Sequence, residues 1–401
     1  MYLLQLFLLK EDHLFHYYTD SILIQPKDSI LTGWNFPLNP WQFTTKTLTA
    51  TASQCYYTAD QTIYYQRANS ANNVGAFGFD GNSSFQVQAN STTNNQFAII
   101  QYIDPATILP YWNSVLSSLV TIGLFSTGTN NLSIKMRLIY RTTLPSTIGT
   151  TEPIASWAGP GTDPVFSAGW TPIKPINDPA YLLTPTTFEA LQTFAFNGFQ
   201  MPANSGSTTN MIGIVLYTTQ NISNANTDRV CIERVSLVPN EFAIDCNPQT
   251  ADEVLRQCQY YYETSYQTGA AIGTVTNAGL LVSPQHIVYV GGSQWSMPYG
   301  TFGHTFSVKK RDNPTMTIFS PSTMASGGSL RAIISNGATP DGNSDISLSG
   351  GWNSGTGSQS GFYFTSANTA ATVTTSAAYT ANSILSGAYY YHFTASSLLG
   401  R

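Results

Sequence analysis

Aromatic residues in glycine-flanked loops are the side chains of this sequence best placed to do chemistry. Trp295 in GGSQWSMPYG, Tyr299 close behind it and Trp352 in GGWNSG each offer a flat face, with Ser, Asn and Gln nearby as hydroxyl and amide partners. Such a set can stack on the apolar side of a sugar ring and hydrogen-bond its rim. These three are the candidate carbohydrate-binding residues, and the competing reading is a loop aromatic packed on its own domain. Trp34 and Trp41 lie in an opening strand and are expected in the core.

Groups for catalysis are scarce. The sequence holds no Gly-x-Ser-x-Gly elbow, His-Glu-x-x-His helix, phosphate-binding glycine loop or dinucleotide fingerprint. The histidines, at 13, 16, 286, 304 and 392, are scattered, and His304 and His392 stand beside aromatics in predicted strands, where packing is the expected role. Asp341 and Asp345 share DGNSD, which reads as a turn, because calcium wants about six to eight oxygens. A glycan depolymerase needs two carboxylates across a cleft, and no spacing singles out such a pair. No catalytic residue, metal ligand or cofactor is expected. Cys55, Cys231, Cys246 and Cys258 lack the two-residue spacing of zinc or redox sites and read as small buried hydrophobes.

The elements that would position these residues are strands. Only 9% of the 401 residues are charged, 16 Lys and Arg against 21 Asp and Glu, so the chain has no footprint for a phosphate backbone and no material for a coiled coil. Apolar residues at 42% and aromatics at 13% suffice for large buried cores. Apolar and polar residues alternate in short pieces: FQVQ (85–88), FAIIQYI (97–103), 134–140, MIGIVLY (211–217), RVCIERVSL (229–237), HTFSV (304–308), TMTIF (315–319), LRAII (330–334), GFYFT (361–365) and AYYYHFT (388–394). Within 134–140 the pattern puts Ile134, Met136, Leu138 and Tyr140 in a core and Lys135 and Arg137 in water. The apolar phase slips between Ile232 and Val235, which predicts a bulge near Glu233 and Arg234.

One segment is helical in pattern, over about 251–266. Thr250 with Glu253 makes a capping box, and Val254, Leu255, Cys258, Tyr261 and Tyr262 form an apolar stripe. Eight of the 21 prolines fall between Thr143 and Thr187, so that stretch is expected to run over the surface with room for one edge strand. The resulting fold class is all-β: a jelly-roll-like β-sandwich over 29–248 with the Pro-rich excursion at 143–187, a linking helix at 249–267, and a smaller β domain over 268–401. Residues 1–28 form an N-terminal docking arm, its apolar run carried by Leu3, Leu4, Leu6, Phe7, Leu8 and Leu9. That run is too short to span a bilayer and lacks the basic start of a signal peptide. Residues 346–400 carry no charged side chain, and the strand at 388–394 is aromatic on both faces, which predicts cover from a second copy.

Three stretches resemble the C-terminal parts of bacteriophage tail-fibre and related virion appendage proteins. ILTGWNFPLNPWQF (30–43) with YTADQTIYYQ (57–66) is similar to the family's opening strand. RVCIERVSL leading to LRQCQYYYETSY (255–266) is similar to its last sandwich strand and following helix. HTFSVKKRDNPTMTIFSPST (304–323) and YYYHFTASSLL (389–399) resemble its small C-terminal β domain. Phe43 and Thr44 replace the usual arginine and glycine, Gln61 and Thr62 the usual Arg-Trp, and Tyr260 an arginine of the helix. The resemblance implies a carbohydrate-binding-like sandwich in a virion structural protein, a homotrimer that contacts other virion proteins and host-surface glycans. The alternatives are a purely architectural capsid or decoration protein and, behind it, a depolymerase. Neither nucleic acid nor membrane insertion is expected.

Overall fold

Period-two patterning becomes sheet throughout the computed structural model. It describes residues 29–34, 47–50, 55–57, 62–67, 72–79, 82–89, 96–126, 131–142, 153–157, 159–186, 190–203, 211–221, 228–267, 270, 272–291, 294–296, 302–322, 329–336, 339–347, 358–364, 371–372 and 384–397. The docking arm at 1–28, Trp41, Tyr299 and Trp352 lie outside the described residues.

Two seven-stranded sheets form the sandwich. The first orders Thr47–Ala50, Asn72–Phe79, Asn82–Ala89, Arg229–Val238 and Val115–Phe125, with Gln192–Gln200 and Pro185–Thr186 both pairing the last of these. The second orders Thr171–Ile173, Leu132–Arg141, Met211–Thr218, Phe97–Ile103, Ile63–Gln66 and Cys55–Tyr57, with Tyr181–Leu183 also on Leu132–Arg141. The chain passes back and forth between the sheets, the wrapping expected of a jelly-roll-like sandwich. Their facing sides share one core that includes Phe85, Val120, Ile122, Val230, Ile99, Met136, Leu138 and Ile214. The register of Arg229–Val238 shifts between Ile232 and Arg234, where the sequence predicts its bulge. Trp34 closes this core at 1% exposure. Its segment is held by the amide of Gln101, which accepts from Thr32 N at 3.0 Å and donates to Thr32 O at 2.7 Å, and by Gln249, which accepts from Gly33 N at 2.7 Å.

The second sheet departs from expectation on its outer face. Arg137 is 1% exposed rather than in water, because the Pro-rich excursion folds back over that face and brings carboxylates to it. Arg137 Nη2 lies 2.9 Å from Asp163 and Nη1 2.5 Å from Asp178, while Lys135 Nζ lies 2.9 Å from Asp163. The excursion also contributes more than one edge strand. Thr171–Ile173 and Tyr181–Leu183 pair successive halves of Leu132–Arg141, and Ile154–Trp157 pairs Pro164–Phe166 as a separate ribbon.

The helix spans Ala251–Tyr261, with both halves of its capping box formed. It ends short of 266 because Tyr262–Thr264 pairs with Ser396–Thr394 and so enters the third sheet. A one-turn helix, Pro105–Ile108, and the 3-10 turn Leu109–Tyr111 after it were not expected.

That third sheet orders Thr339–Ser347, Ser329–Asn336, Ile384–Ser396, Leu281–Gly291, Gln294–Ser296 and Ala371–Thr372, and Thr315–Phe319 also pairs Ile384–Ser396. Asp341 and Asp345 therefore sit in a strand and not a turn: Asp345 pairs with Arg331, and the irregularity falls at Ser335. At 391–395 the strand Ile384–Ser396 is covered on both faces by its own chain. Phe393 packs with His304, Phe306 and Phe362, while His392 stacks on Tyr266 at 4.1 Å and shares hydrogen bonds with Ser265 Oγ and Thr276 O. The strand thus needs no second copy there, contrary to the expectation built on its two aromatic faces. Gly279 is obligatory: its φ is +79°, and a Cβ would sit 1.8 Å from Ser265 O.

Candidate functional site

Two aromatic-lined surfaces compete as the site, and they adjoin at Tyr102. The first is the outer face of the second sheet. Because residues alternate along a strand, Ile63, Tyr65, Ile100, Tyr102, Ile139, Val215 and Tyr217 point away from the sandwich core. The excursion covers them. Trp157 stacks on Tyr65 at 5.5 Å and 27°, and Trp170 stacks on Tyr102 at 5.3 Å and 21°. Arg137 lies 5.8 Å from the Tyr217 ring centre, and burial pushes the Tyr217 hydroxyl well above its ordinary range. Burial alone would raise the pKa of Asp178, but the Arg137 guanidinium and Lys174 outweigh it and hold it low. This face is filled by the protein itself.

The second surface is open. Asp104 caps the one-turn helix: its Oδ1 accepts from Ala106 N at 2.8 Å, and Pro105 takes the first helical position, where its missing N–H costs nothing. Its other oxygen, Oδ2, accepts from Arg311 Nε at 3.0 Å. Around this pair run two adjoining cavities, of about 370 and 310 Å³, that share Asp104 and Tyr260. Both are at the lower end of the roughly 300–1,000 Å³ typical of small-ligand sites. The larger is walled by Ile30, Tyr102, Tyr111, Gln257 and Tyr261, the smaller by Pro105, Leu109 and Asp312. Together they make one groove between the sandwich, the linking helix and the second domain.

The far wall of the groove is fixed by a buried ion pair. Lys310 Nζ donates to Glu263 Oε2 at 2.6 Å, Gln259 O at 2.6 Å and Val308 O at 2.9 Å, so all three protons are used. Glu263 Oε1 accepts from Ser307 N and Oγ. Burial alone would raise Glu263, but His304, Lys310 and the Ser307 amide outweigh it and hold its pKa at about 2. Arg311 N donates to Tyr260 O at 2.8 Å, and both residues line the smaller cavity.

Of the three sequence candidates, Trp295 is described in its backbone alone. The backbone of Trp295 lies in Gln294–Ser296, paired with Tyr289 and Ala371, while its side chain is outside the described residues, as are Tyr299 and Trp352. His304 and His392 pack against aromatics as expected. Cys231, Cys246 and Cys258 are buried. Among the described residues no group of His, Cys, Asp and Glu could hold a metal ion, and no helix is long and apolar enough to cross a membrane.

No family model matches the chain, and no curated protein matches it. Solved structures similar to it include carbohydrate-binding modules of low identity. The C-terminal family 22 module of a Clostridium thermocellum xylanase is 12% identical, covering 48% of this chain and 99% of its own, with a TM-score of 0.26. A xylan-binding domain of Paenibacillus barcinonensis is 11% identical over 48% and 99%, at 0.25. A family 11 module of Clostridium thermocellum, solved with a mixed-linked tetrasaccharide, is 12% identical over 49% and 99%, at 0.24.

Proposed function

We propose that this chain is an attachment component of a virus particle that binds host-surface glycans in the groove around Asp104, Tyr260 and Arg311. The observation that carries the reading is the groove itself. It combines tyrosine faces, a short apolar ledge at Pro105 and Leu109, and charged and amide groups within one open cleft of small-ligand size. The virion assignment rests on the three-part resemblance to tail-fibre proteins, as does the choice of a homotrimer, and the reading as a non-enzyme rests on the missing catalytic motifs. Mass spectrometry of purified particles should contain the chain, and light scattering should give three times its mass; a chain found only in cell extract would overturn the virion assignment. A glycan array on the full chain should give hits that Tyr260→Ala removes.

A second reading has one observation in its favour. An architectural block needs no ligand surface, and the outer face of the second sheet is sealed by Trp157 and Trp170. A folded chain that binds no glycan while contacting other particle proteins would support it.

A further inference from the structure

We infer that the groove takes a neutral saccharide and rejects acidic ones, an inference that rests on the glycan-binding reading above. The first argument is charge. Among the described residues that line the groove, Asp104 and Asp312 stand against one cation, Arg311, whose Nε already serves Asp104. A carboxylate or sulfate on the ligand would meet two like charges for one partly committed guanidinium.

The second argument is hydrogen-bond polarity. Arg311 Nη1 and Nη2 have no protein partner among the described residues, and they are donors only. The Oε1 atom of Gln257, in the wall of the larger cavity, is buried, has no hydrogen-bond partner among the described residues and can only accept. A ligand that spans the two cavities and satisfies both must accept at Arg311 and donate at Gln257. A hydroxyl does both, and a carboxylate cannot donate to Gln257. Hydroxyls therefore serve both positions, whereas a carboxylate serves only the one at Arg311, and the Tyr260 ring and the Leu109 side chain, 46% exposed, supply the apolar surface for the other side of a sugar ring.

The test is an array of neutral oligosaccharides beside their sialylated and uronate-containing counterparts, followed by calorimetry on the full chain with the strongest hit. Neutral hits are expected, with affinity changing less than about twofold between low and high salt because no net charge is neutralised on binding. Tyr260→Ala and Gln257→Leu should each weaken binding about tenfold or more, and Arg311→Lys should weaken it less than Arg311→Met. Thermal melts of each variant establish that it is folded. Acidic hits with steep salt dependence would overturn the inference and leave glycan binding standing. So would neutral binding that ignores Tyr260, Gln257 and Arg311 alike. A folded wild-type chain that binds nothing on the array overturns the glycan-binding reading itself.

Discussion

The covered sheet face and the open groove are built from the same residue types and do opposite work. Each joins tyrosines to an arginine paired with aspartate: Tyr65, Tyr102 and Tyr217 with Arg137 on the face, Tyr111 and Tyr260 with Arg311 in the groove. On the face, two tryptophans of the excursion take the stacking positions, and two aspartates and the Met136 carbonyl partner the guanidinium. In the groove, one aspartate takes one nitrogen of Arg311, and the ring of Tyr260 borders open cavities. Aromatic and polar content alone does not mark a binding surface; what the rest of the chain leaves unpaired does.

The most severe way to break the comparison is to remove the cover. Trp157→Ala or Trp170→Ala should each cost about 3–5 kcal/mol, as large aromatic deletions from cores do, and should lower the melting temperature sharply; Trp157→Ala, whose partner Tyr65 lies outside the groove, should do so without a specific effect on groove binding. Next comes Arg137→Met. Its two partners keep a third of their side-chain surface in water and can rehydrate, so the loss should be about 1–3 kcal/mol, below that of a fully buried pair. Denaturant titration measures both.

Acid provides a third, graded contrast. The folded pKa of Glu263 is depressed to about 2 from an ordinary 4.5. The folded state therefore binds this proton less readily than the unfolded chain, and the stabilisation is complete above about pH 4.5 and fades as pH falls toward 2. Asp178 is also depressed, but it lies more in solvent and should contribute less. Melting temperature against pH should fall across this window, and Glu263→Gln should flatten most of the fall. The smallest stability effect belongs to the groove. Tyr260→Ala should cost under about 1 kcal/mol, as partly exposed sites do, while weakening ligand binding about tenfold or more.

Much of the fold was legible because alternation survives burial. The strands at 97–103, 211–217 and 315–319, the bulge before Arg234 and the capping box at Thr250 all follow from local pattern. Leu281–Gly291 was missed because Pro284 argues against an interior strand; Pro284 pairs with Ala388, while the strand's other neighbour, Gln294–Ser296, pairs only from Val288 onward. Arg137 was misplaced because alternation tells which residues share a face but not what covers that face, and its partners lie 26 and 41 positions along the chain. The groove was hidden for the same reason. Its signals were present singly: the Asp104-Pro105 cap, the run of charge at 309–312 in a chain poor in charge, and Tyr260 where the resembled family has arginine. Only the docking of the helix against the second domain brings them together.

Hydrogen–deuterium exchange on the full chain, with and without a bound oligosaccharide, tests the central claim most directly. Saccharide binding in the groove should slow exchange in peptides covering 104–112, 256–262 and 309–312 and leave those covering 153–171 unchanged. Protection at 153–171 with the groove peptides unaffected would show that the ligand enters beneath the tryptophan cover, and would contradict the assignment of the groove.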